Sequence, residues 1–287
     1  MSKPKIICIG NFGWDDISIG KNKKKVLGGS AWRFAQIAAL FKIPALVVSG
    51  IDNNKKWQQA CELLQKNAVL TDLIKIDKIP VFKSEYSKNL DIKKFTATDA
   101  KLLEKALLKK IDKIDFKSFE HIHICPLSLK IVKKILAQPR NKKAKISLQL
   151  HFSLFLSDSI KDWMQVFTEV DYLFASFKDL TDVISSFSLK RASQIAEKTK
   201  KTMFLTHGHK GAYIFKKGKM AGNLKAIPML SVKEPTGAGD AFAAGTIVGL
   251  LSFKNTTAAS RLGMVLTFLN LADWGSDASS LLLKDKI

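Results

Sequence analysis

Short apolar runs alternate along the chain with longer stretches in which apolar residues recur every three or four positions. The short runs have the length of buried strands, and the longer stretches have the spacing of helices. The predicted strands are residues 5–10, 45–50, 121–125, 144–150, 171–175 and 202–206. The predicted helices are residues 30–41, 55–66, 99–110, 128–137, 157–168, 177–187, 190–201, 238–251 and 255–272. This order predicts an α/β fold in which helices cover both faces of a parallel sheet and the crossovers are right-handed.

Three stretches depart from this alternation. Residues 11–17 are polar and contain a glycine, which predicts a loop after the first strand. Residues 74–96 form short alternating pieces, which predict exposed strands in a small sheet that projects from the body. Residues 212–216 and 224–230 predict an antiparallel pair near the edge of the main sheet. No repeat or linker divides the sequence, so we predict a single domain over residues 1–287.

Residues 234–245 indicate a glycine-rich turn that runs into a helix. Gly237 and Gly239 allow the backbone to approach a ligand closely, and free N–H groups at a helix start favour a phosphate. Asp240 is a poor neighbour for a phosphate alone, because two negative charges repel each other. A carboxylate here suits phosphoryl transfer, in which it takes the proton from an acceptor hydroxyl. The alternative is an ordinary capping turn on a core helix.

The chain has 287 residues and a formal net charge of +22, yet only four of its 47 basic residues are arginine. The lysines are scattered along predicted helices and turns, which is typical of a solvated surface. Proteins that bind nucleic acids more often cluster arginine and aromatic residues on one element. We therefore predict no nucleic-acid partner, and expect the charge to attract anions such as a nucleotide.

No apolar run is long enough to span a bilayer, and the chain starts directly with a strand-like run. These features predict a cytoplasmic protein without a membrane partner. Cys8, Cys61 and Cys125 lie in apolar segments and indicate buried, reduced thiols. His121, His123 and Cys125 alternate along one strand and have side chains that bind zinc. No fourth ligand follows at metal spacing, so packed strand residues are the favoured interpretation.

From near its start to about residue 275, the chain resembles the ribokinase or PfkB family of sugar and nucleoside kinases. Residues 236–242, with the sequence TGAGDAF, are similar to the family's second signature, late in the chain and opening a helix. Residues 28–31 (GGSA) resemble the first signature, which contacts the sugar. Residues 205–212 resemble the strand and Gly-x-x-Gly turn beside the nucleotide, and Asp15 falls where the family has a substrate-binding aspartate.

The resemblance implies a ribokinase-like three-layer αβα sandwich with a mainly parallel central sheet and a small β-strand lid. Lid strands are expected at about residues 11–27 and 74–96, and such strands can also form the interface of a homodimer. The resemblance makes Asp240 the catalytic base and places Gly237, Ala238 and Gly239 around the developing anion. The other implied positions are the substrate-binding residues Asp15, Gly28 and Gly29, the nucleotide-binding residues Ser176, Thr206, Gly208, Gly211 and Thr236, and Asp179 at a magnesium ion.

The departures from the family pattern lie beside these positions. Arg33 replaces the family's asparagine, so a cation that only donates stands where an amide both donates and accepts. Arg33 predicts an acceptor that carries a carboxylate or phosphate, and the alternative is an arginine turned onto the surface. Ser176 and Asp179 replace the Asn and Glu of the magnesium-associated motif, and Asp179 keeps the charge with a shorter reach. Glu234 replaces an aspartate, which is a mild change.

The sequence thus predicts a kinase that uses ATP and magnesium to phosphorylate a hydroxyl of a sugar or nucleoside-like molecule. The altered residues Arg33, Ser176 and Asp179 motivate an alternative, a degenerate family member that binds a sugar or nucleotide and acts through partners. The intact TGAGD sequence argues against that alternative, because a pure binding protein has little need for a base there.

Overall fold

The computed structural model describes residues 3–151, 153, 159–182, 184, 186–253 and 255–272. The strands in these ranges are β1 (Ile6–Ile9), β2 (Gly13–Ile19), β3 (Asn22–Gly28), β4 (Ala45–Ile51), β5 (Val69–Lys75), β6 (Val81–Tyr86), β7 (Ile92–Thr98), β8 (His121–Ile124), β9 (Lys145–Gln149), β10 (Tyr172–Ser176), β11 (Thr202–Thr206), β12 (Ala212–Lys216) and β13 (Lys219–Leu224). The helices are α1 (Ser30–Leu40), α2 (Lys55–Lys66), α3 (Ala100–Lys110), α4 (Leu129–Leu136), α5 (Ile160–Phe167), α6 (Phe177–Thr181), α7 (Leu189–Thr199), α8 (Ala238–Ser252) and α9 (Thr256–Ala272).

The large sheet has nine strands in the order β13-β12-β11-β10-β9-β8-β1-β4-β5. The strands from β11 to β5 are parallel, and β12 and β13 add an antiparallel edge. The predicted, mainly parallel sheet is therefore confirmed. From β1 the chain continues to β4 on one side and later returns to β8 on the other side. The carboxyl end of β1 is thus a topological switch point, where open α/β sheets form ligand crevices.

Helices cover both faces of the large sheet. On one face, residues of α3, α4, α5 and α7 form a core around the buried ring of Trp163. On the other face, α1, α2 and α8 pack around Trp32 and Trp57. All four residues of β1 are 0% exposed, because strands covered on both faces need apolar side chains in both directions. Three layers of helix, sheet and helix result.

Close backbone contact with α9 fixes the position of α8. Residues from Ala241 to Gly249 are all buried, so α8 packs against neighbours around its circumference. A Cβ added to Gly245 would lie only 2.9 Å from the Cα of Gly263 on α9. Small residues permit this approach, and it holds the amino-terminal turn of α8, which carries Asp240, in a defined place.

The small sheet has the order β3-β2-β6-β7. Its strand β2 corrects the prediction of a loop at residues 11–17, since Gly13–Ile19 pairs with both β3 and β6. Its strands β6 and β7 lie in the region where exposed strands were predicted. The beginning of that region was wrongly assigned, because Val69–Lys75 pairs with β4 at the edge of the large sheet.

Two other predicted boundaries were wrong. The return strand of the edge pair is Lys219–Leu224, not residues 224–230. The backbone explains this, because Lys217 and Gly218 both have positive φ angles (50° and 82°) and form a two-residue hairpin turn, which returns the chain at once. The helix predicted at residues 177–187 ends at Thr181. Among the described helices, none is long and apolar enough to cross a membrane.

Candidate active site

A cavity of about 380 Å³ opens at the carboxyl ends of the strands, between the large and small sheets. Its walls come from both sheets and from the start of α8, so residues far apart in sequence meet there. The lining residues include Asn11, Asp15, Gly29, Tyr86, Phe95, Gln149, His151, Ser176, Asp179, Thr206, Thr236, Gly237, Ala238, Gly239 and Asp240. Among the described residues that line the cavity, the predicted Gly28, Arg33, Gly208 and Gly211 are absent.

The turn before α8 places Asp240 at the cavity. Gly237 is the N-cap residue with φ 76°, a left-handed conformation that glycine adopts without strain, and its carbonyl accepts from the N–H of Ala241 at 2.8 Å. The N–H of Ala238 donates to the carbonyl of Pro235 at 3.2 Å. At Gly239 an added Cβ would meet no described atom within 4 Å. The first turn of α8 thus faces open space at its Gly239 position.

Gln149 is a site residue that the sequence did not reveal. It is the last residue of β9, only 8% exposed, and its Nε2 donates to Oδ1 of Asp240 at 2.6 Å. The amide therefore orients the carboxylate. A polar residue at the carboxyl end of a predicted strand in a parallel sheet is the signal that would have drawn attention to it.

Beside the cavity, strand β2 and helix α1 are joined by a buried ion pair. Nη2 of Arg33 lies 3.2 Å from Oδ2 of Asp15, and the two side chains are 3% and 7% exposed. The interpretation of Arg33 as a surface residue is therefore wrong. Gly28 faces this pair, since a Cβ there would lie 2.1 Å from Cγ of Asp15. Gly29 has φ 95°, and a Cβ on it would lie 2.3 Å from the carbonyl oxygen of Asn11. The double glycine therefore makes room for Asp15 and for the loop after β1.

Burial and three nearby charged groups determine the protonation of Asp15. Burial raises its pKa from 3.8 to about 6, against the attraction of the Arg33 guanidinium, and the negative charges of Asp240 and Glu234 raise it further. Asp15 therefore becomes protonated in the folded protein when the pH falls below about 6. Above that pH the ionised carboxylate only accepts hydrogen bonds, whereas the protonated group also donates one.

Ser176 and Asp179 form a capping box at the start of α6. The N–H of Asp179 donates to Oγ of Ser176 at 2.9 Å, and the N–H of Ser176 donates to Oδ2 of Asp179 at 3.2 Å. Thr206, at the end of β11, donates from its hydroxyl to the carbonyl of Ala175 at 3.4 Å. These bonds bring the ends of β10 and β11 together at the wall of the cavity.

The turn after β11 lies next to this wall. Gly208 has φ 53° and is exposed, whereas Gly211 is buried with φ 94°. A Cβ on Gly211 would lie 2.0 Å from the carbonyl oxygen of Leu224 in β13, so this glycine is needed for the backbone contact. His207 stacks on Phe177 with ring centroids 4.1 Å apart, and its pKa is lowered by burial and by the charge of Lys210.

Asp179 fits a role at a magnesium ion through water. It lines the cavity, and its carboxylate is an oxygen ligand of the kind that magnesium takes. Magnesium commonly keeps several of its waters and takes one or two carboxylates, which suits a short side chain at the cavity wall.

The small sheet contacts the turn before α8. The hydroxyls of Tyr86 on β6 and Thr236 lie 3.0 Å apart, and Nδ2 of Asn270 on α9 donates to the carbonyl of Thr236 at 3.0 Å. Burial raises the pKa of Tyr86. Phe95 on β7 lies 4.9 Å from the ring of His151, centroid to centroid. The small sheet thus closes one side of the cavity with aromatic rings.

His121 and His123 of β8, and Cys125 directly after it, are packed core residues, which was the favoured interpretation. His121, His123 and Cys125 are 3%, 1% and 0% exposed, and Oγ of Ser147 lies 2.8 Å from Nε2 of His121 and 2.9 Å from Nδ1 of His123. Burial lowers the pKa of His121 to about 4 and that of His123 to about 3. Cys8 joins the group, since possible ligand atoms of Cys8, His123 and Cys125 lie within 4.8 Å of one another.

The chain is similar to kinases of known type. Cytidine kinase from Thermococcus kodakarensis is 21% identical over 286 residues, which cover 94% of this chain and 97% of that protein. Adenosine kinase from Sinorhizobium meliloti has a TM-score of 0.77 at 13% identity, with 99% and 100% of the two chains covered. Ribokinase from Thermotoga maritima has a TM-score of 0.73 at 16% identity, with 97% and 99% covered.

These likenesses confirm two predictions. The structural matches, at identities well below 25%, show that the three layers form a ribokinase-like fold. The sequence profile described as pfkB family carbohydrate kinase matches residues 12–279, a range that includes both signature sequences and nearly all of the cavity wall. The chain therefore belongs to the pfkB family of carbohydrate kinases.

Proposed function

We propose that the protein transfers the γ-phosphoryl group of ATP to a hydroxyl of a neutral sugar or nucleoside, with Asp240 as the general base. The observation that carries this proposal is the start of α8. There a carboxylate held by Gln149 lies in the same helical turn as Gly239, whose surroundings are open toward the cavity. Phosphoryl transfer needs this combination of a proton acceptor and an anion site.

The N–H groups of Gly239 and Asp240 are the proposed donors to the transferred phosphoryl group. The first N–H groups of a helix have no partner within the helix, and the helix dipole adds to their attraction for an anion. Ala238 already donates to the carbonyl of Pro235, so its part is to hold the shape of the turn. Gly237 supports the same shape through its left-handed backbone.

Asp15 is the proposed ligand of the acceptor's hydroxyl groups, and Gly29 allows the acceptor to approach the backbone. The acceptor is proposed to be neutral, because the arginine that suggested an acidic one is buried against Asp15. The relatives named cytidine kinase, adenosine kinase and ribokinase support a ribose-containing acceptor. The small sheet, which contacts Thr236 through Tyr86, is the proposed lid that keeps water from the reaction.

Ser176, Thr206, Thr236, Gly208 and Gly211 are the proposed contacts of ATP, supported by their position along the ends of β10 and β11 and before α8. Asp179 would hold the water shell of a magnesium ion. That ion, when bound, supplies positive charge that offsets the phosphates, while this chain's own residues orient the nucleotide and the acceptor.

The experiment is a measurement of ADP formation with cytidine, adenosine and ribose as acceptors, with magnesium and then with excess chelator. We expect turnover with at least one acceptor, lost in chelator, and a phosphorylated product visible by phosphorus NMR. Binding of an acceptor or of ATP without any turnover would instead support the degenerate binding protein.

A further inference from the structure

We propose that Arg33 is a positioning residue whose single guanidinium holds the acceptor-binding carboxylate of Asp15 and supports the anion-hole turn at Gly237. Acceptor binding and the geometry of the phosphoryl site then depend on the same side chain. This inference rests on the proposed function, and it replaces direct recognition of an acidic acceptor by Arg33.

The position of Arg33 shows that it acts through other residues. It lies in the first turns of α1, is 3% exposed, and is absent from the described cavity wall, whereas Asp15 is part of that wall. Nη2 of Arg33 lies 3.2 Å from Oδ2 of Asp15. An acceptor in the cavity would therefore meet the carboxylate, with the guanidinium behind it.

The same guanidinium packs against the turn before α8. A Cβ built on Gly237 would lie 2.7 Å from Nε, 3.1 Å from Cζ and 3.3 Å from Nη2 of Arg33. The planar group therefore lies against the backbone of Gly237, the N-cap residue of α8. Lysine has no flat surface of this kind and offers a point charge on a flexible stem, so it cannot fill both roles in the same way.

The acidic groups around Asp15 explain why a cation is needed beside its carboxylate. Asp15 is faced by Arg33 from α1, by Asp240 from α8 and by Glu234 from the segment before α8, and it also interacts with the hydroxyl of Tyr86 on β6. Among these groups Arg33 is the cation, and the others are acids. Without it, three carboxyl groups would share a buried region, and repulsion together with desolvation would favour protonation of Asp15.

The test measures acceptor affinity as a function of pH by calorimetry, with cytidine and adenosine as probes, in the wild type and in Arg33→Lys, Arg33→Asn and Arg33→Ala. In the wild type, affinity should fall as the pH drops through about 6, because Asp15 becomes protonated. Loss of the guanidinium removes an influence that lowers the pKa of Asp15, so the midpoint should move upward by about 1 to 3 pH units. Arg33→Lys should give an intermediate shift.

The matched control is Asp15→Asn, which removes the titrating carboxyl group. Its affinity should be independent of pH in this range, and adding Arg33→Ala should then cost much less than in the wild type. Equal losses in both backgrounds, or an unmoved midpoint in every Arg33 variant that retains the wild-type circular dichroism spectrum, would overturn the proposal. Failure of both probes to bind at any pH would also overturn it, since no acceptor would then contact Asp15.

Calorimetry separates this inference from the proposed function. If the probes bind with the expected pH dependence but no ADP forms, the assignment of Arg33 stands and the kinase proposal fails. If ADP forms and the Arg33 variants keep the wild-type pH midpoint, the kinase proposal stands and the assignment of Arg33 fails.

Discussion

The proposed acceptor side of the cavity, around Asp15, and the proposed nucleotide side, around Ser176 and Thr206, are built differently. On the acceptor side, Asp15 and Arg33 form an ion pair that is less than one tenth exposed, with Gly28 packed against it. On the nucleotide side, Ser176 and Thr206 are half-buried, and Gly208 is exposed. There the hydrogen bonds join short side chains to backbone groups, as in the capping box of Ser176 and Asp179.

The difference suggests how each side recognises its ligand. A buried, charged pair has a fixed geometry, because moving either group would leave the other charge without compensation. Such a site discriminates between acceptors by the placement of hydroxyl groups. A half-exposed wall of backbone and short side chains tolerates variation, which agrees with the replacement of Asn and Glu by Ser176 and Asp179.

Among the substitutions that compare the two sides, Asp15→Asn should give the largest difference between the KM for the acceptor and the KM for ATP. The change removes charge-assisted hydrogen bonds to the acceptor, each of about 1.5–3 kcal/mol, so the KM for the acceptor should rise about 10- to 100-fold or more. The KM for ATP should change little. Steady-state kinetics with each substrate varied in turn will check this, and Asp16→Asn, on the same strand, is the control that should behave like the wild type.

Gln149→Glu should lower kcat about 10- to 100-fold and move the pH optimum upward. A second carboxylate within hydrogen-bonding distance of Asp240 raises the pKa of the pair and leaves the base partly protonated. The pH dependence of kcat is the measurement. Gln149→Ala should lower kcat without moving the optimum so far, and identical pH profiles for both variants would contradict the assigned contact.

Asp179→Ala tests the nucleotide side. We expect a rise in the KM for ATP and in the magnesium concentration needed for half-maximal activity, both about 5- to 10-fold, because water-mediated contacts contribute only modestly. The KM for the acceptor should stay the same. Asp182→Ala, which removes an exposed carboxylate paired with Lys178, is the matched control. If Asp179→Ala changed only the KM for the acceptor, the assignment of the two sides would be reversed.

Tyr86→Phe should have the smallest effect. It removes one neutral hydrogen bond to Thr236, with a net contribution of about 0.5–1.5 kcal/mol, so kcat/KM for the acceptor should fall about 2- to 10-fold. The phenyl ring preserves the packing of the small sheet. If kcat/KM for ATP fell more than kcat/KM for the acceptor, this contact would belong to the nucleotide side.

The sequence predicted the elements of the large sheet and the loop before α8, because both depend on local patterns. Strand β5 was missed because Thr71, Asp72 and Lys75 interrupt its apolar residues. The residue pattern missed strand β2 for a different reason, although the resemblance implied strands at about residues 11–27. The buried positions of β2 include the polar Asp15, so the usual alternation of apolar and polar residues fails where the strand forms the site.

The contacts of the site depend on the tertiary structure and could not be predicted. Arg33 and Asp15 are 18 residues apart on different elements, and Gln149 and Asp240 are 91 residues apart. The resemblance gave the positions of Asp15 and Asp240 but no partner for either residue. The single-domain division, the magnesium ion and a dimer through the small sheet stay predictions.

The most direct test of the central claim is a single-turnover measurement of phosphoryl transfer by Asp240→Asn, together with calorimetry of ATP binding. Asparagine keeps the shape of the side chain but cannot take a proton, and removal of a general base costs about 100- to 10,000-fold in rate. We predict a loss of this size with ATP affinity within a few-fold of the wild type. Near-normal transfer by this variant would show that Asp240 is not the base.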